Sequence, residues 1–183
     1  LANRVLFANR LEHALVRARR GGRPVAVLFV GLDDFKNVND SYGHSTGDQL
    51  LVELSRRLAA CVRAGDTAAR LGGDEFAVLL DEGGGLETAR EIAERVAEAV
   101  RAPFLLAGRE IVLGASLGIA VSEGGGETAG DLLRNADVAM YRAKEAGKGR
   151  VVVFEASMQT AVRGRLELEG DLRWALARGE FAL

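Results

Sequence analysis

The sequence predicts an α/β (α+β) domain in which helices cover a mainly antiparallel central sheet. Helical and strand-like segments alternate along the 183 residues, and neighbouring strands joined by a short hairpin must run antiparallel. The run 25–30 is apolar throughout, which is typical of a strand buried on both faces. A hydrophobic fraction of 48% and 23 glycines fit such a protein.

Apolar spacing and glycines define the elements of the first half. Leu6, Leu11 and Leu15 mark one face of a first helix, and Gly21-Gly22 ends it. After the strand over 25–30, the expected order is an acid-rich strand end over 31–36, a loop bracketed by Gly43 and Gly47, and a helix that begins at Asp48 and carries Leu50, Leu51, Leu54 and Leu58.

The second half is predicted to begin with a hairpin whose strands are 68–71 and 78–80. The remaining elements are a helix over 89–100 closed before Pro103, strands over 104–106 and 111–121 joined at Ala107-Gly108, a helix from about Ala129 to Glu145, and a last strand over 151–154. Two hairpins within one sheet account for its mainly antiparallel character.

Composition excludes some classes of function. The net charge of −2 gives no footprint for nucleic acid and no general affinity for anionic membranes. Cys61 is the only cysteine, so no internal disulfide can form, which suits a reducing cytosol, and we expect it to be a small core residue. The chain starts at Leu1 without methionine, so we expect a fragment of a longer, cytoplasmic or membrane-anchored protein.

The most informative segment is the turn Gly72-Gly73-Asp74-Glu75 between two apolar runs. Glycines supply the positive φ of a tight hairpin and let another molecule approach the main chain. Adjacent carboxylates are hard oxygen ligands for Mg²⁺, and a divalent ion beside a bare turn is a natural phosphate site. The alternative is an exposed hairpin whose acids only keep the turn soluble.

The string Arg70-Leu71-Gly72-Gly73-Asp74-Glu75-Phe76 resembles the signature of the GGDEF family, the diguanylate cyclases of cyclic di-GMP signalling. The resemblance extends from Leu1-Ala2-Asn3-Arg4 to about Phe154. It implies a fold similar to the catalytic domain of adenylyl cyclases, GTP as substrate, Mg²⁺ or Mn²⁺ as cofactor, and catalysis by a homodimer. The catalytic residues it implies are Gly72, Gly73, Asp74 and Glu75.

A second segment matches the same family from Phe35-Lys36 through Asn39 to Gly47-Asp48. The resemblance implies that this segment binds GTP and that Asn39 and Asp48 contact the guanine. An amide can pair with N7 or O6, and a carboxylate can accept from N1–H and the 2-amino group. Such a site rejects adenine because the wrong base leaves buried groups unpaired. Without the resemblance, Asp48 would be read as a helix cap and Asn39 as a turn residue.

One position departs from the family pattern. Relatives usually carry Asp-x-Asp-x-Phe-Lys at the strand end, and the first Asp is a metal ligand, but here that position is Gly31. Asp33 fills the second Asp. The metal ligands implied are therefore Asp74 and Glu75, with Asp33 as a further candidate. Loss of one carboxylate should weaken Mg²⁺ binding.

Two basic positions follow Tyr141. Lys144 and Lys148 are four residues apart, which on a helix places both ammonium groups on one face. The alternative is that the two lysines only form a solvent-exposed basic face, which is the usual interpretation of a lysine pair. The run 139–148 is similar to the family's phosphate-contacting segment, which implies that both lysines bind the triphosphate.

A separate binding site is implied upstream of the hairpin. Arg63 and Asp66 stand at the offset where the family carries its Arg-x-x-Asp inhibitory site for the product, cyclic di-GMP. A guanidinium suits both phosphate and guanine edges. The site needs a further arginine, for which Arg90 and Arg95 are candidates. The alternative is a surface ion pair that contributes little.

The chain is expected to divide at about residue 156. Residues 1–156 would form the GGDEF domain, and 157–183 would be a linker helix and the truncated start of an EAL phosphodiesterase domain, which that charged, amphipathic tail resembles. A capping helix is the alternative. With Gly31 and this tail, the domain could instead be a weak or inactive GTP-binding module that regulates the EAL domain, or a receptor for cyclic di-GMP alone.

Overall fold

The computed structural model describes residues 1–81, 83, 85–122 and 126–158, so the predicted linker and EAL start lie almost wholly outside the described residues. The elements in chain order are α1 (Arg4–Gly21), β1 (Val25–Leu32), α2 (Phe35–Tyr42), α3 (His44–Ala60), β2 (Thr67–Gly72), β3 (Glu75–Leu80), α4 (Leu86–Arg101), β4 (Phe104–Leu106), β5 (Arg109–Ile111), β6 (Ala115–Ser122), α5 (Ala129–Glu145) and β7 (Val151–Val153). Among these, no helix has the length and apolar character needed to cross a bilayer.

Five strands form the central sheet in the order β2-β3-β1-β6-β7. The pairs β2–β3, β3–β1 and β1–β6 are antiparallel, and only β6–β7 is parallel. Strands β4 and β5 form a separate two-stranded hairpin. The predicted fold class, a mainly antiparallel sheet with helices, is confirmed.

Strand β1 lies at the centre of the sheet, and all eight of its residues are buried. Its side chains alternate between two cores, as the period of two in a strand requires. Ala26, Leu28 and Val30 pack with α3 and α4, while Val27 and Phe29 pack with α1 and α5. Helices therefore cover both faces of the sheet, and the carboxyl end of β1 lies at one edge of this three-layer arrangement.

Helix α5 lies unusually close to the sheet at Gly118 on β6. A β-carbon at Gly118 would overlap the carbonyl oxygen of Ala136 and the amide nitrogen of Met140. Glycine is therefore required for this close approach. The contact fixes the height of α5 above the sheet, and with it the position of the residues near the end of the helix.

The structure corrects four sequence predictions. The two hairpins do not share one sheet, because β4 and β5 form a two-stranded sheet of their own. Helix α2 occupies Phe35–Tyr42, where a strand end and a loop were expected, and α3 begins at His44 rather than Asp48. Asp34 turns the chain from β1 into α2 with a left-handed φ of 58°, and Gly43, with φ of 82°, separates the two helices. The predicted strand over 111–121 is interrupted, because β5 ends at Ile111 and β6 begins at Ala115.

Candidate functional site

The Gly-Gly turn joins β2 to β3, as predicted. Gly72 pairs with Glu75 after an irregularity in β2, so Gly73 and Asp74 form the tip, and Gly73 has a φ of 49°. The guanidinium of Arg70 donates to the Gly73 carbonyl from Nε at 3.0 Å and from Nη2 at 2.7 Å. Arg70 therefore holds the tip of the turn, a role that its place in the motif did not reveal.

Arg4, at the start of α1, holds the other side of the turn. Its Nε donates to the Leu71 carbonyl at 3.2 Å, and its Nη2 lies 3.8 Å from Glu75 Oε2. The preceding residue, Asn3, caps α1 by accepting from the Leu6 amide. The sequence marks Asn3-Arg4 only as part of the family resemblance and does not assign Arg4 to the site.

The end of β1 lies beside this turn. Gly31 is the register partner of Glu75, and the Leu32 amide donates to the Asp74 carbonyl at 3.3 Å. The carboxylate of Asp74 is half-buried and has no hydrogen-bond or ion-pair partner among the described residues. Asp74 is thus a carboxylate available to a ligand at this edge of the sheet.

The carboxylate of Asp33, unlike that of Asp74, is fully hydrogen-bonded within the protein. It is 6% exposed, its Oδ1 accepts from Ser116 Oγ at 2.7 Å, and its Oδ2 accepts from the Gly149 amide at 3.0 Å. Within the described residues, no three His, Cys, Asp or Glu side chains cluster in a way that could hold a metal. These contacts weigh against Asp33 as a metal ligand and give it a structural role between β6 and the segment after α5.

Lys144 and Lys148 both reach the end of β1, but not by the predicted helical spacing. Helix α5 ends at Glu145, and Lys148 lies beyond it with a left-handed φ of 62°. Lys148 Nζ donates to Asp34 Oδ1 at 2.7 Å, and this hydrogen bond raises the pKa of Lys148. Lys144 is half-buried beside Gly31. The predicted i, i+4 pair on one helix is therefore wrong, although the ammonium groups of both lysines lie near the carboxyl end of β1, one beside Gly31 and the other beside Asp34.

Asp137, on α5, is a further charged group near Lys144. Desolvation raises the pKa of the Asp137 carboxyl, and the positive charges of Lys144 and Arg4 act in the opposite direction. The charges of Arg4, beside the turn, and of Lys144, at the end of β1, therefore both act on Asp137. Nothing in its sequence context marked this carboxylate as part of the site.

The residues assigned to guanine lie on two adjoining helices. Asn39, on α2, is half-buried with its side-chain oxygen over Gly47, while Asp48, on α3, is exposed. Because α3 begins at His44, Asp48 is inside the helix and is not its cap. Asp48 lines a groove of about 730 Å³ that Leu105 and Leu106 of the β4–β5 hairpin also line.

Phe35 and Lys36, which begin the segment assigned to GTP, differ in exposure. Phe35 is buried, with its ring close to Gly47, and Lys36 is exposed on α2.

A separate groove of about 590 Å³ lies on the side of the Gly72-Gly73 turn that faces α1 and α3, and its lining includes Arg4, Ser55, Arg70 and Gly72. The turn is therefore accessible from this side.

Arg63 and Asp66 form a tight turn before β2. The Asp66 carboxylate accepts from the Arg63 amide at 3.1 Å, and the Asp66 amide donates to the Arg63 carbonyl at 3.0 Å. The exposed Arg63 guanidinium has no partner among the described residues. This turn therefore presents a guanidinium to solvent and uses its carboxylate to fix the backbone.

Of the two candidate third arginines, only Arg95 contacts this region. Its Nη2 and Nε donate to the carbonyl of Cys61, at 2.6 and 3.2 Å. Cys61 is buried as predicted, and burial raises the pKa of its thiol despite the opposing charge of Arg95. Arg90 is exposed on α4. Cys61 precedes Arg63 by two positions, so the hydrogen bonds to its carbonyl place Arg95 next to the turn.

Comparison with known proteins gives a consistent result. Residues 1–150 match the family described as "Diguanylate cyclase, GGDEF domain". The chain is 46% identical over all 183 residues to the bifunctional diguanylate cyclase/cyclic di-GMP phosphodiesterase MucR of Pseudomonas aeruginosa, and spans 27% of that protein. It is 41% identical over 159 residues to the response regulator PleD of Caulobacter vibrioides, covering 83% of this chain and 34% of that one. The chain spans about a quarter to a third of these relatives.

Solved structures agree in fold. The GGDEF domain of YfiN (TpbB) from Pseudomonas aeruginosa is 39% identical with a TM-score of 0.81, covering 85% of this chain and 97% of that one. A sensory box/GGDEF family protein from Caulobacter crescentus is 46% identical with a TM-score of 0.76, over 80% and 95% of the two chains. The GGDEF domain of DgcB from Caulobacter crescentus, solved with c-di-GMP, is 29% identical with a TM-score of 0.78, over 84% and 91%.

Proposed function

The chain belongs to the GGDEF family of diguanylate cyclase domains, and on that premise we propose that it binds GTP and joins two GTP molecules into cyclic di-GMP. The observation that carries the proposal is the complete turn from Arg70 to Phe76, with its tip held by Arg70 and its side by Arg4. Beside this turn, Asp74 keeps a carboxylate without a protein partner among the described residues.

In the proposed reaction, the 3′-hydroxyl of one GTP attacks the α-phosphorus of the other, and pyrophosphate leaves. A second attack closes the ring and releases a second pyrophosphate. Each domain holds one GTP, so two domains must meet face to face, because orientation of the two reactants supplies much of the rate. We assign Lys144 and Lys148 to the charge on the leaving pyrophosphate and Asp74 to the attacking hydroxyl.

Divalent metal is the general requirement of diguanylate cyclases, but the described residues do not fit a resident ion. Gly31 offers no ligand, Asp33 is bound to Ser116 and Gly149, and Glu75 lies beside Arg4. A hard cation such as Mg²⁺ needs several oxygen ligands, and Asp74 alone supplies one carboxylate. In our proposal Mg²⁺ or Mn²⁺ arrives with the GTP, and no step depends on a metal held by the protein.

Selectivity for guanine is assigned to Asn39 and Asp48. We further propose that cyclic di-GMP binds at Arg63 and Asp66, with Arg95 as the third arginine, and inhibits the domain. The motivation is the unpaired Arg63 guanidinium beside the segment that Arg95 holds. GTP and cyclic di-GMP are both cytoplasmic nucleotides, and we therefore propose that the domain lies in the cytoplasm.

A second function is favoured by Gly31. A domain without the acidic ligand could bind GTP and control a covalently linked EAL phosphodiesterase without making product. One relative combines the two activities, since MucR is described as bifunctional, and a solved relative from M. capsulatus is named an EAL/GGDEF domain protein.

Calorimetry with GTP and ATP tests the nucleotide site that both functions require. GTP should bind at least tenfold more tightly than ATP, and Asp48→Ala should remove most of that preference. Asp40→Ala is the matched control, because Asp40 is also an exposed aspartate and lies on the adjoining helix. Equal affinity for the two nucleotides, or an unchanged preference in Asp48→Ala, would contradict the guanine assignment.

A further inference from the structure

The ammonium group of Lys144 lies at the position where this chain lacks a carboxylate. A β-carbon on Gly31 would be 2.9 Å from Lys144 Nζ and 2.9 Å from Met140 Sδ. Any side chain at position 31 would therefore point at the end of α5. The structure has a positive charge at the point where the family pattern would place a negative one.

The composition of the chain singles out this cation. It contains 24 Lys and Arg residues, and only three are lysines, at positions 36, 144 and 148. All three are residues that we assign to GTP. An ammonium is a compact point charge that binds phosphate from any direction, whereas a guanidinium is a planar fork. Lys144 therefore supplies a compact charge directly beside Gly31.

The neighbouring acids leave little negative charge to attract a free metal ion. Glu75 lies 3.8 Å from Arg4, Asp34 is paired with Lys148 at 2.7 Å, and both oxygens of Asp33 accept hydrogen bonds. Asp74 and Asp137 remain, and burial raises the pKa of Asp137, which disfavours its charged form. Asp74 lies in the turn beside the end of β1, where Lys144 also lies. Repulsion between the ammonium and a dication disfavours metal binding here.

We propose that Lys144 replaces the acidic metal ligand in function, so that the domain holds the triphosphate through its own ammonium groups and binds GTP without a divalent cation. The proposal rests on GTP binding at this site, as argued above, and adds that the nucleotide needs no divalent cation in order to bind, whether or not one accompanies it in turnover. An acidic side chain introduced at position 31 would offset the positive charge of Lys144 and make binding depend on metal.

Calorimetry of GTP in EDTA and in Mg²⁺ tests this directly. The wild-type chain should bind GTP in EDTA within about threefold of its affinity in Mg²⁺. Lys144→Met should weaken binding in EDTA about tenfold or more, and its melting temperature checks that it is folded. Arg142→Met is the matched control, since it removes one charge from the same helix and breaks the half-buried pair of Arg142 with Glu145, away from Gly31.

Lysine acylation followed by mass spectrometry gives a second readout on the unaltered protein. GTP in EDTA should slow modification of Lys144 at least fivefold, and peptide assignment is simple with three lysines. Gly31→Asp should lose GTP affinity in EDTA and regain it in Mg²⁺. That variant tests the charge argument independently of whether Lys144→Met folds.

The outcomes separate the two proposals. GTP binding that requires Mg²⁺ in the wild type, or equal affinities of Lys144→Met and Arg142→Met, would overturn the metal-free site and leave GTP binding standing. Absence of GTP binding in both buffers would overturn the proposed function together with this inference. Binding in EDTA that depends on Lys144 supports both.

Discussion

The side-chain oxygen of Asn39 occupies the space that a β-carbon on Gly47 would need. Asn39 lies on α2 and Gly47 in the first turn of α3, so the absence of a side chain at one helix sets the position of the amide on the other. Asp48 follows Gly47 directly. The two proposed guanine contacts are therefore coupled through a single glycine.

Gly47→Ala should displace Asn39 and weaken GTP binding by about 1–3 kcal/mol, the cost of a hydrogen bond left unmade in a closed site. Gly130→Ala is the control, because Gly130 is also near a helix start and its β-carbon would meet only Thr128 Oγ1, at an ordinary 3.8 Å. Calorimetry measures both variants. Equal GTP affinity for Gly47→Ala and wild type would show that the amide of Asn39 does not contact the base.

Arg70→Met should loosen the turn by removing both hydrogen bonds to the Gly73 carbonyl. We expect GTP affinity to fall severalfold, with a loss of about 1 kcal/mol in unfolding free energy, because the bonds are exposed to solvent. Arg56→Met, which breaks only an exposed pair with Glu53, should change neither. If the two variants behave alike in GTP titration and chemical denaturation, Arg70 has no special role at the turn.

The sequence predicted the sheet and the signature turn well because both depend on local patterns. The uniformly apolar 25–30 run identified the central strand, and Gly72-Gly73 identified the hairpin. Helix α2 was missed because only Phe35 and Val38 are buried on it, too few for a helical period, and because Asp34 starts it from a left-handed conformation.

The part of the site that the sequence did not predict depends on contacts between distant segments. Arg4 meets the Leu71 carbonyl across 67 positions of sequence, and Gly149 meets Asp33 across 116. No periodicity reports such pairs. Lys148 was placed on α5 by its spacing, whereas a Gly-Lys-Gly sequence directly after Ala146 was a signal that the helix had ended.

Arg63→Ala should weaken cyclic di-GMP binding at least tenfold and leave GTP affinity unchanged, since its guanidinium faces solvent at a distinct turn. Arg95→Ala should also weaken it, because Arg95 binds the Cys61 carbonyl beside that turn. Arg90→Ala is the matched control on the same helix and should bind as the wild type does. Unaltered cyclic di-GMP binding by Arg63→Ala would refute the inhibitory-site assignment.

Gly31→Asp should raise Mg²⁺ affinity and any rate of product formation. Gly31 does not have a positive φ, so aspartate meets no backbone strain there, and the nearest atoms belong to the flexible ends of Lys144 and Met140. The rate should be measured at protein concentrations that allow pairing of domains. An unchanged or lower rate in a folded, GTP-binding Gly31→Asp protein would show that the missing carboxylate does not limit turnover.

Product analysis shows whether this domain turns GTP into cyclic di-GMP. The wild-type chain, at concentrations where domains pair, is incubated with GTP and Mg²⁺ or Mn²⁺ and the mixture is separated by chromatography, with Asp74→Ala as the control. We expect cyclic di-GMP and two pyrophosphates per product from the wild type and neither from Asp74→Ala. GTP that binds to the wild type and is recovered unchanged would contradict this expectation.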